Sequence, residues 1–265
     1  MHETVSSGYE SMERMEMYWE SRGTGGVPLV ALHGGFGVTT MFGDALDRLA
    51  EGRRVIAAEL QGHGHTRAIN HPFSYEAFGD DVAGLLEHLG LEQADLLGYS
   101  LGAGASLRCA IQHPERVRRL AVVSFPCRRD GWFPAIRAVM EQISSAGFAQ
   151  MRCTPLFDAY AQVAPDPDAF PAPMDRIAEL LRCPFDWSDE VGSLAMPALL
   201  VYADADSIPT AHAAEFFGLL GGGLHDAGRD GSGVSNTRLA ILPGRTRYDV
   251  MQAPELVGVI ERFVA

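Results

Sequence analysis

The segment ADLLGYSLGAGASL, residues 94–107, begins as a short apolar run and continues with helical spacing. Its centre, from Gly98 to Gly102, fits the pattern G-x-S-x-G. A sharp turn from strand to helix strains a serine and lifts its hydroxyl above the sheet, while small neighbours let strand and helix approach. The helix start then directs backbone N–H groups at developing negative charge. We therefore expect Ser100 to be a nucleophile; the alternative is a serine that only caps the helix.

Apolar runs and helical patterns alternate along the rest of the chain. Strands are predicted at 15–19, 28–32, 54–59, 94–99, 120–125, 197–203 and 239–242, and helices at 75–89, 101–112, 211–220 and 254–264. Strands that are apolar throughout and separated by amphipathic helices predict an α/β fold with a mostly parallel, doubly wound sheet. Ligands bind at the carboxyl ends of such strands, so a site is expected after Leu32, Tyr99, Ala203 and Leu242.

Residues 128–194 interrupt this rhythm with helical pieces separated by prolines. We expect them to form a small helical cap over a core domain of residues 1–127 and 195–265. The cap is rich in large apolar side chains, namely Trp132, Phe133, Ile136, Met140, Phe148, Met151, Phe157, Tyr160, Phe170 and Met174. Such side chains line pockets for uncharged organic ligands. The alternative is that most of them pack the cap onto the core.

The loop HGGFG, residues 33–37, follows another apolar run. Its glycines let backbone amides face a pocket. The amides of Gly35 and Leu101 are expected to form an oxyanion hole, worth ~3 kcal/mol per donor to a tetrahedral transition state. His33 is expected to hold the loop. A plain tight loop remains the alternative.

The chain resembles the α/β-hydrolase fold superfamily, in particular its esterase, lactonase and epoxide-hydrolase-like members with a small cap. The resemblance is carried by LVALHGGFG (29–37), VIAAELQGHGHT (55–66), ADLLGYSLGAGASL (94–107), HPERVRRLAVVS (113–124) and MPALLVYADADSIP (196–209). It implies a catalytic triad in the order serine, acid, histidine. The acid position falls on Asp206, with Asp204 as a loop carboxylate. The histidine position, after LPG at 242–244, is occupied by Arg247.

A guanidinium has donors only and stays protonated at any usable pH, so Arg247 cannot take a proton from Ser100. Three interpretations remain open. The chain is an esterase-type or lactonase-type enzyme impaired by a substitution; or it is a non-hydrolytic lyase, cyclase or ligand-binding protein in which Arg247 holds an anionic group; or Arg247 pairs with Asp206 in a dead site. Of the other histidines, His212 is expected on a solvated helix start and His225 on the wrong side of the sheet.

The amino-acid composition limits the classes of molecule that the chain is expected to bind. Asp and Glu number 34 against 21 Lys and Arg, a formal charge of −13, which disfavours nucleic acid and anionic membranes. The sequence shows no dinucleotide fingerprint and no zinc spacing, and the mechanism needs no cofactor. No signal peptide or membrane span is predicted, so we expect a cytoplasmic protein whose four cysteines are buried and reduced. The expected partner is a small neutral organic substrate; the oligomeric state is left open.

Overall fold

The computed structural model describes residues 5–11, 15–69, 71 and 73–265. The strands are β1 (Ser6–Ser11), β2 (Glu16–Arg22), β3 (Leu29–Leu32), β4 (Val55–Ala58), β5 (Ala94–Tyr99), β6 (Val117–Val123), β7 (Ala198–Ala205) and β8 (Arg238–Thr246). The helices are α1 (Ala45–Leu49), α2 (Tyr75–His88), α3 (Leu101–Gln112), α4 (Pro134–Gln142), α5 (Phe148–Met151), α6 (Pro155–Val163), α7 (Pro171–Arg182), α8 (Ser188–Val191), α9 (Thr210–Leu219) and α10 (Pro254–Val264).

The strands form one sheet in the order β1-β2-β4-β3-β5-β6-β7-β8. The pairs β1–β2 and β2–β4 are antiparallel, and the remaining neighbours are parallel. The expectation of a mostly parallel sheet is confirmed. Because β3, β5, β7 and β8 are parallel, their carboxyl ends meet at one edge of the sheet, where the loops carrying the candidate residues lie.

Alternate residues of each central strand enter two separate cores. Val30 and Leu32 pack in the cluster that includes α2 and α3, whereas Leu29 and Ala31 pack with α1 and α10 on the opposite face. All four side chains are fully buried, and each buried leucine or valine contributes about 1.5–3 kcal/mol to folding. Helices on both faces explain why the strands are apolar along their whole length.

Several elements differ from the sequence prediction. The polar segment SSGYES forms the edge strand β1, which was not predicted because it contains no apolar run. β6 ends at Val123, two residues earlier than predicted, and β8 runs four residues further, to Thr246. Helix α6 was not predicted.

The cysteines also depart in part from expectation. Cys109 and Cys127 are buried as free thiols, but Cys153 and Cys183 are exposed, so the prediction of burial was wrong for these two. Among the described residues, the structure contains no helix with the length and apolar character needed to cross a bilayer.

Candidate active site

Ser100 occupies the turn between β5 and α3 with φ +54° and ψ −116°. This left-handed conformation is strained for a non-glycine residue and is typical of functional sites. Glycines on both sides make the turn possible. A Cβ on Gly98 would lie 2.3 Å from the Gly102 carbonyl oxygen, and one on Gly102 would lie 2.3 Å from the Leu32 carbonyl oxygen. The G-x-S-x-G spacing is thus required by close backbone approach.

Two backbone hydrogen bonds hold the turn in place. The Ser100 amide donates to the Val123 carbonyl at 3.0 Å, and the Gly102 amide donates to the His33 carbonyl at 2.9 Å. The first bond ties Ser100 to the end of β6, and the second ties the start of α3 to the glycine loop after β3. The serine therefore has little freedom to move relative to either neighbour.

The glycine loop turns back on itself beside Ser100. The Gly37 amide donates to the Gly34 carbonyl at 3.0 Å. A Cβ built on Gly35 would lie 3.8 Å from the Leu101 Cβ, so Gly35 and Leu101 are neighbours. Within the part of the chain that the structure describes, neither amide has a hydrogen-bond acceptor. These two donors are available to a ligand.

His33 holds this loop, as the sequence predicted. Its Nδ1 lies 2.8 Å from the Gly34 carbonyl oxygen, and its Nε2 accepts from the Leu60 amide at 3.1 Å. Burial, with a smaller contribution from His63, lowers the pKa of His33 to about 3. The ring is therefore neutral and structural.

Asp206 lies in the turn after β7 and is 8% exposed. Its Oδ2 accepts from the Ser124 hydroxyl at 2.5 Å and from the Ala203 amide at 3.1 Å. Its Oδ1 is buried, and none of the described residues donates to it. A buried carboxylate oxygen is normally hydrogen-bonded, so Oδ1 is free to accept from a further donor.

Asp204, the other carboxylate on this loop, faces solvent. Its two oxygens accept from the Gly244 amide at 2.9 Å and the Arg245 amide at 3.2 Å. The Gly244 amide is the main cause of its lowered pKa. Asp204 thus fixes the end of β8 from which Arg247 projects.

Arg247 places its guanidinium directly on the serine. Nη2 donates to the Ser100 Oγ, and Nη1 donates to the Ser124 carbonyl at 2.6 Å. The guanidinium carbon lies 4.5 Å from the Trp132 ring centroid and 5.6 Å from that of Tyr99. These contacts hold the cation over Ser100 at a half-buried position.

No carboxylate of a described residue lies within 4.0 Å of the Arg247 guanidinium. The interpretation in which Arg247 pairs with Asp206 is therefore wrong. Ser124 instead lies between Arg247 and Asp206. Its hydroxyl donates to the Asp206 carboxylate, and its carbonyl accepts from the Arg247 guanidinium.

Among the described histidines, none hydrogen-bonds Ser100. His212 is buried rather than solvated, so that expectation was wrong. Its Nε2 lies 3.7 Å from the Cys127 Sγ and its Nδ1 3.4 Å from a Glu215 oxygen. Burial is the main cause of its lowered pKa.

Sequence reasoning missed Ser124. It follows β6 with φ +53° and is fully buried. The rule that polar residues ending a buried strand lie at the ligand edge would have found it, had the strand been predicted to end at Val123.

Residues of the segment that the sequence predicts as a cap pack on the glycine loop. Phe36 lies 5.8 Å from Phe170 between ring centroids, and a Cβ on Gly35 would lie 4.0 Å from a methyl of Ile177 on α7. Phe148, Phe157 and Tyr160 also surround Phe170. Many of the cap aromatics thus pack on each other, while Trp132 reaches the site.

A family model described as the alpha/beta hydrolase fold matches residues 27–162. The chain belongs to the α/β-hydrolase fold family. The resemblance to this family seen in the sequence is thereby confirmed. The match includes the glycine loop, the Ser100 turn and the first helices of the cap region.

Two of the similar proteins bear the names of hydrolases. A 2-hydroxymuconate semialdehyde hydrolase of Pseudomonas sp. strain CF600 is 44% identical over 110 residues, which are 38% of this chain and 39% of that protein. The chain therefore aligns with less than half of that relative. A protein of Caulobacter sp. strain K31 that bears the name carbamate hydrolase RutD is 28% identical over 68% of this chain and 73% of its own length.

Solved structures show the same fold. The enol-lactonase from Burkholderia xenovorans LB400 superposes with a TM-score of 0.71 at 19% identity, covering 97% of this chain and 99% of that one. At this identity the likeness establishes the fold.

Proposed function

We propose that the chain is a serine-hydrolase-type enzyme for carboxylic esters or lactones, impaired because Arg247 occupies the position of the general base. Ser100 is the nucleophile, Asp206 the acid, and the Gly35 and Leu101 amides the oxyanion hole. The substrate is a small neutral organic molecule, and the chemistry needs no cofactor.

The observation that carries this proposal is the contact of the Arg247 guanidinium with the Ser100 Oγ, at a place where Ser124 links Arg247 to Asp206. Arg247 Nη2 donates to the Ser100 Oγ, and none of the described residues donates to the buried Asp206 Oδ1. An imidazole in place of the guanidinium has one nitrogen to accept from the serine and one N–H to donate to a carboxylate. An imidazole at position 247 is therefore the group that we propose would join Ser100 to Asp206.

The consequence for catalysis follows from the chemistry of arginine. The guanidinium donates to the Ser100 oxygen and cannot remove its proton. Loss of the base in a well-studied serine hydrolase costs on the order of 10⁶ in turnover, and oxyanion stabilisation and binding supply what remains. The unmodified chain is expected to hydrolyse esters very slowly.

The test is turnover of p-nitrophenyl acetate and butyrate by the unmodified chain and by Arg247→His. A general base contributes about 10²–10⁴-fold, so the variant should gain at least about 10²-fold. Ser100→Ala in that background should remove the gain. Arg245→His, two residues away and bound to Glu255, is the matched control and should gain nothing. A folded Arg247→His protein without a gain contradicts the proposal, as does fast turnover by the unmodified chain.

A second candidate is a non-hydrolytic lyase, cyclase or ligand-binding protein in which Arg247 holds an anionic group. The observation that favours it is the guanidinium without a carboxylate partner among the described residues. Ser100→Ala distinguishes the two: a binder or lyase keeps its function, whereas a hydrolase restored by Arg247→His loses it.

A further inference from the structure

A cavity of about 510 Å³ lies between the glycine loop and the cap helix α6. Met41 and Tyr99 line its core side, Leu156 and Ala159 line its cap side, and Tyr248 stands at its rim, 77% exposed. None of the described residues that line it is charged. Its volume and lining suit an uncharged, largely apolar group.

The cavity adjoins the candidate active site through three of these residues. Tyr99 directly precedes Ser100, and its hydroxyl donates to the Arg247 carbonyl at 2.9 Å. The Met41 sulfur lies 3.4 Å from the Gly34 amide, on the loop that carries Gly35, one of the two oxyanion donors. Tyr248 directly follows Arg247. The Tyr99 ring, which lines the cavity, also lies 5.6 Å from the Arg247 guanidinium carbon. An apolar chain in the cavity would have to pass Tyr99 for its polar end to reach Arg247 and Ser100.

Hydrogen-bond donors and a positive charge lie together beside Ser100. Arg247 Nη2 now uses the neutral Ser100 oxygen as its acceptor, and the Gly35 and Leu101 amides have no acceptor among the described residues. A neutral ester would leave the guanidinium without a counter-charge. A carboxylate supplies one, and its bonds to a guanidinium are roughly twice as strong as those between neutral groups.

We propose that this chain binds apolar monocarboxylic acids, with the carboxylate held by Arg247 and the oxyanion amides and the hydrocarbon chain in the cavity between Met41 and Leu156. Such an acid is the acyl half of the ester named under the proposed function, and the proposal rests on that assignment of the pocket. Replacement of the base by arginine thus changes the preferred ligand from a neutral ester to the free acid.

The test is calorimetric titration of the unmodified chain with octanoate, 1-octanol and acetate. Octanoate should bind at least tenfold more tightly than either of the others. Equal affinity for octanol overturns the role of the charge, and equal affinity for acetate overturns the role of the cavity. Absence of octanoate binding overturns the whole inference.

Two variants locate the ligand. Arg247→Gln should weaken octanoate at least tenfold and leave octanol unchanged. Ala159→Trp, which fills the cavity from α6, should weaken octanoate at least tenfold, whereas Gln162→Trp on an exposed position of the same helix should not. Unchanged octanoate affinity in both Arg247→Gln and Ala159→Trp contradicts the inference.

The titration and the esterase assay test the two proposals independently. Esterase activity of Arg247→His together with no octanoate binding by the parent chain removes only this inference. Octanoate binding by the parent together with no gain in Arg247→His removes only the hydrolase proposal.

Discussion

The Ser124 hydroxyl lies 2.5 Å from the Asp206 Oδ2, and the carbonyl of the same serine accepts from Arg247 at 2.6 Å. Ser124 has φ +53°, a conformation that costs of order 1–3 kcal/mol for a residue with a Cβ. The surrounding structure must therefore hold it in place. We infer that Ser124 is a positioning residue, because it orients the acid without contacting the reacting atoms.

Removal of the Ser124 hydroxyl should slow the restored enzyme. In the Arg247→His background, Ser124→Ala removes the hydroxyl that donates to Asp206 Oδ2. The carboxylate can then rotate away from the imidazole. We expect kcat for p-nitrophenyl butyrate to fall about tenfold with little change in KM, since a hydrogen bond to a charged group is worth about 1.5–3 kcal/mol. Steady-state kinetics measures this split.

The matched control is Ser106→Ala. Ser106 is also fully buried, but its hydroxyl has no partner among the described residues. Its replacement should leave kcat unchanged. An equal loss in both variants would mean that Ser124 acts only through general stability, and thermal unfolding of the two proteins would show this.

Local sequence patterns were sufficient for the seven predicted strands and for the Ser100 turn, but not for the polar edge strand β1. Both depend on contacts between near neighbours: continuous apolar runs bury a strand on two faces, and G-x-S-x-G permits one close backbone approach. Asp206 was assigned from the family resemblance, after a strand predicted to end at Ala203, and in the structure it directly follows β7. The positions of these residues at one edge of the sheet are what the parallel topology requires.

Contacts that depend on tertiary packing were not predictable in the same way. The acceptors of Arg247 follow from an irregular register between β7 and β8, after which β8 continues to Thr246. The burial of His212 follows from packing against Cys127 and Gly131, which come from another part of the chain. Ser124 was hidden because a strand end was misplaced by two residues.

The close approach at Gly102 gives a prediction for stability. A Cβ there would meet the Leu32 and His33 carbonyl oxygens at 2.3 and 2.5 Å, and backbone cannot move aside cheaply. Gly102→Ala should lower the free energy of unfolding by about 3 kcal/mol, at the upper end of the range for overpacking. Urea denaturation followed by circular dichroism measures it.

The control for Gly102 is Gly258→Ala in α10. Nothing lies within 4 Å of a Cβ built on Gly258, so alanine should raise the free energy of unfolding by about 0.5–1 kcal/mol through helix propensity alone. A Gly102→Ala protein as stable as the parent chain would contradict this close packing of α3 against the glycine loop.

Acid should destabilise the protein through two buried histidines. Burial lowers the pKa of His33 to about 3 and that of His63 to about 4, from 6.5 in the unfolded chain. Below pH 6.5 the unfolded state therefore binds more protons, and stability falls as the pH drops towards the folded values, by at most about 1.4 kcal/mol per pH unit for each group. Protonation of His33 also removes the acceptor that its Nε2 offers to the Leu60 amide.

The free energy of unfolding, measured in urea between pH 7 and 4.5, should decline less steeply in His63→Gln than in the parent. The control is His225→Gln, in an exposed loop, which should keep the parental slope. Equal slopes in all three proteins would contradict a buried neutral imidazole at position 63.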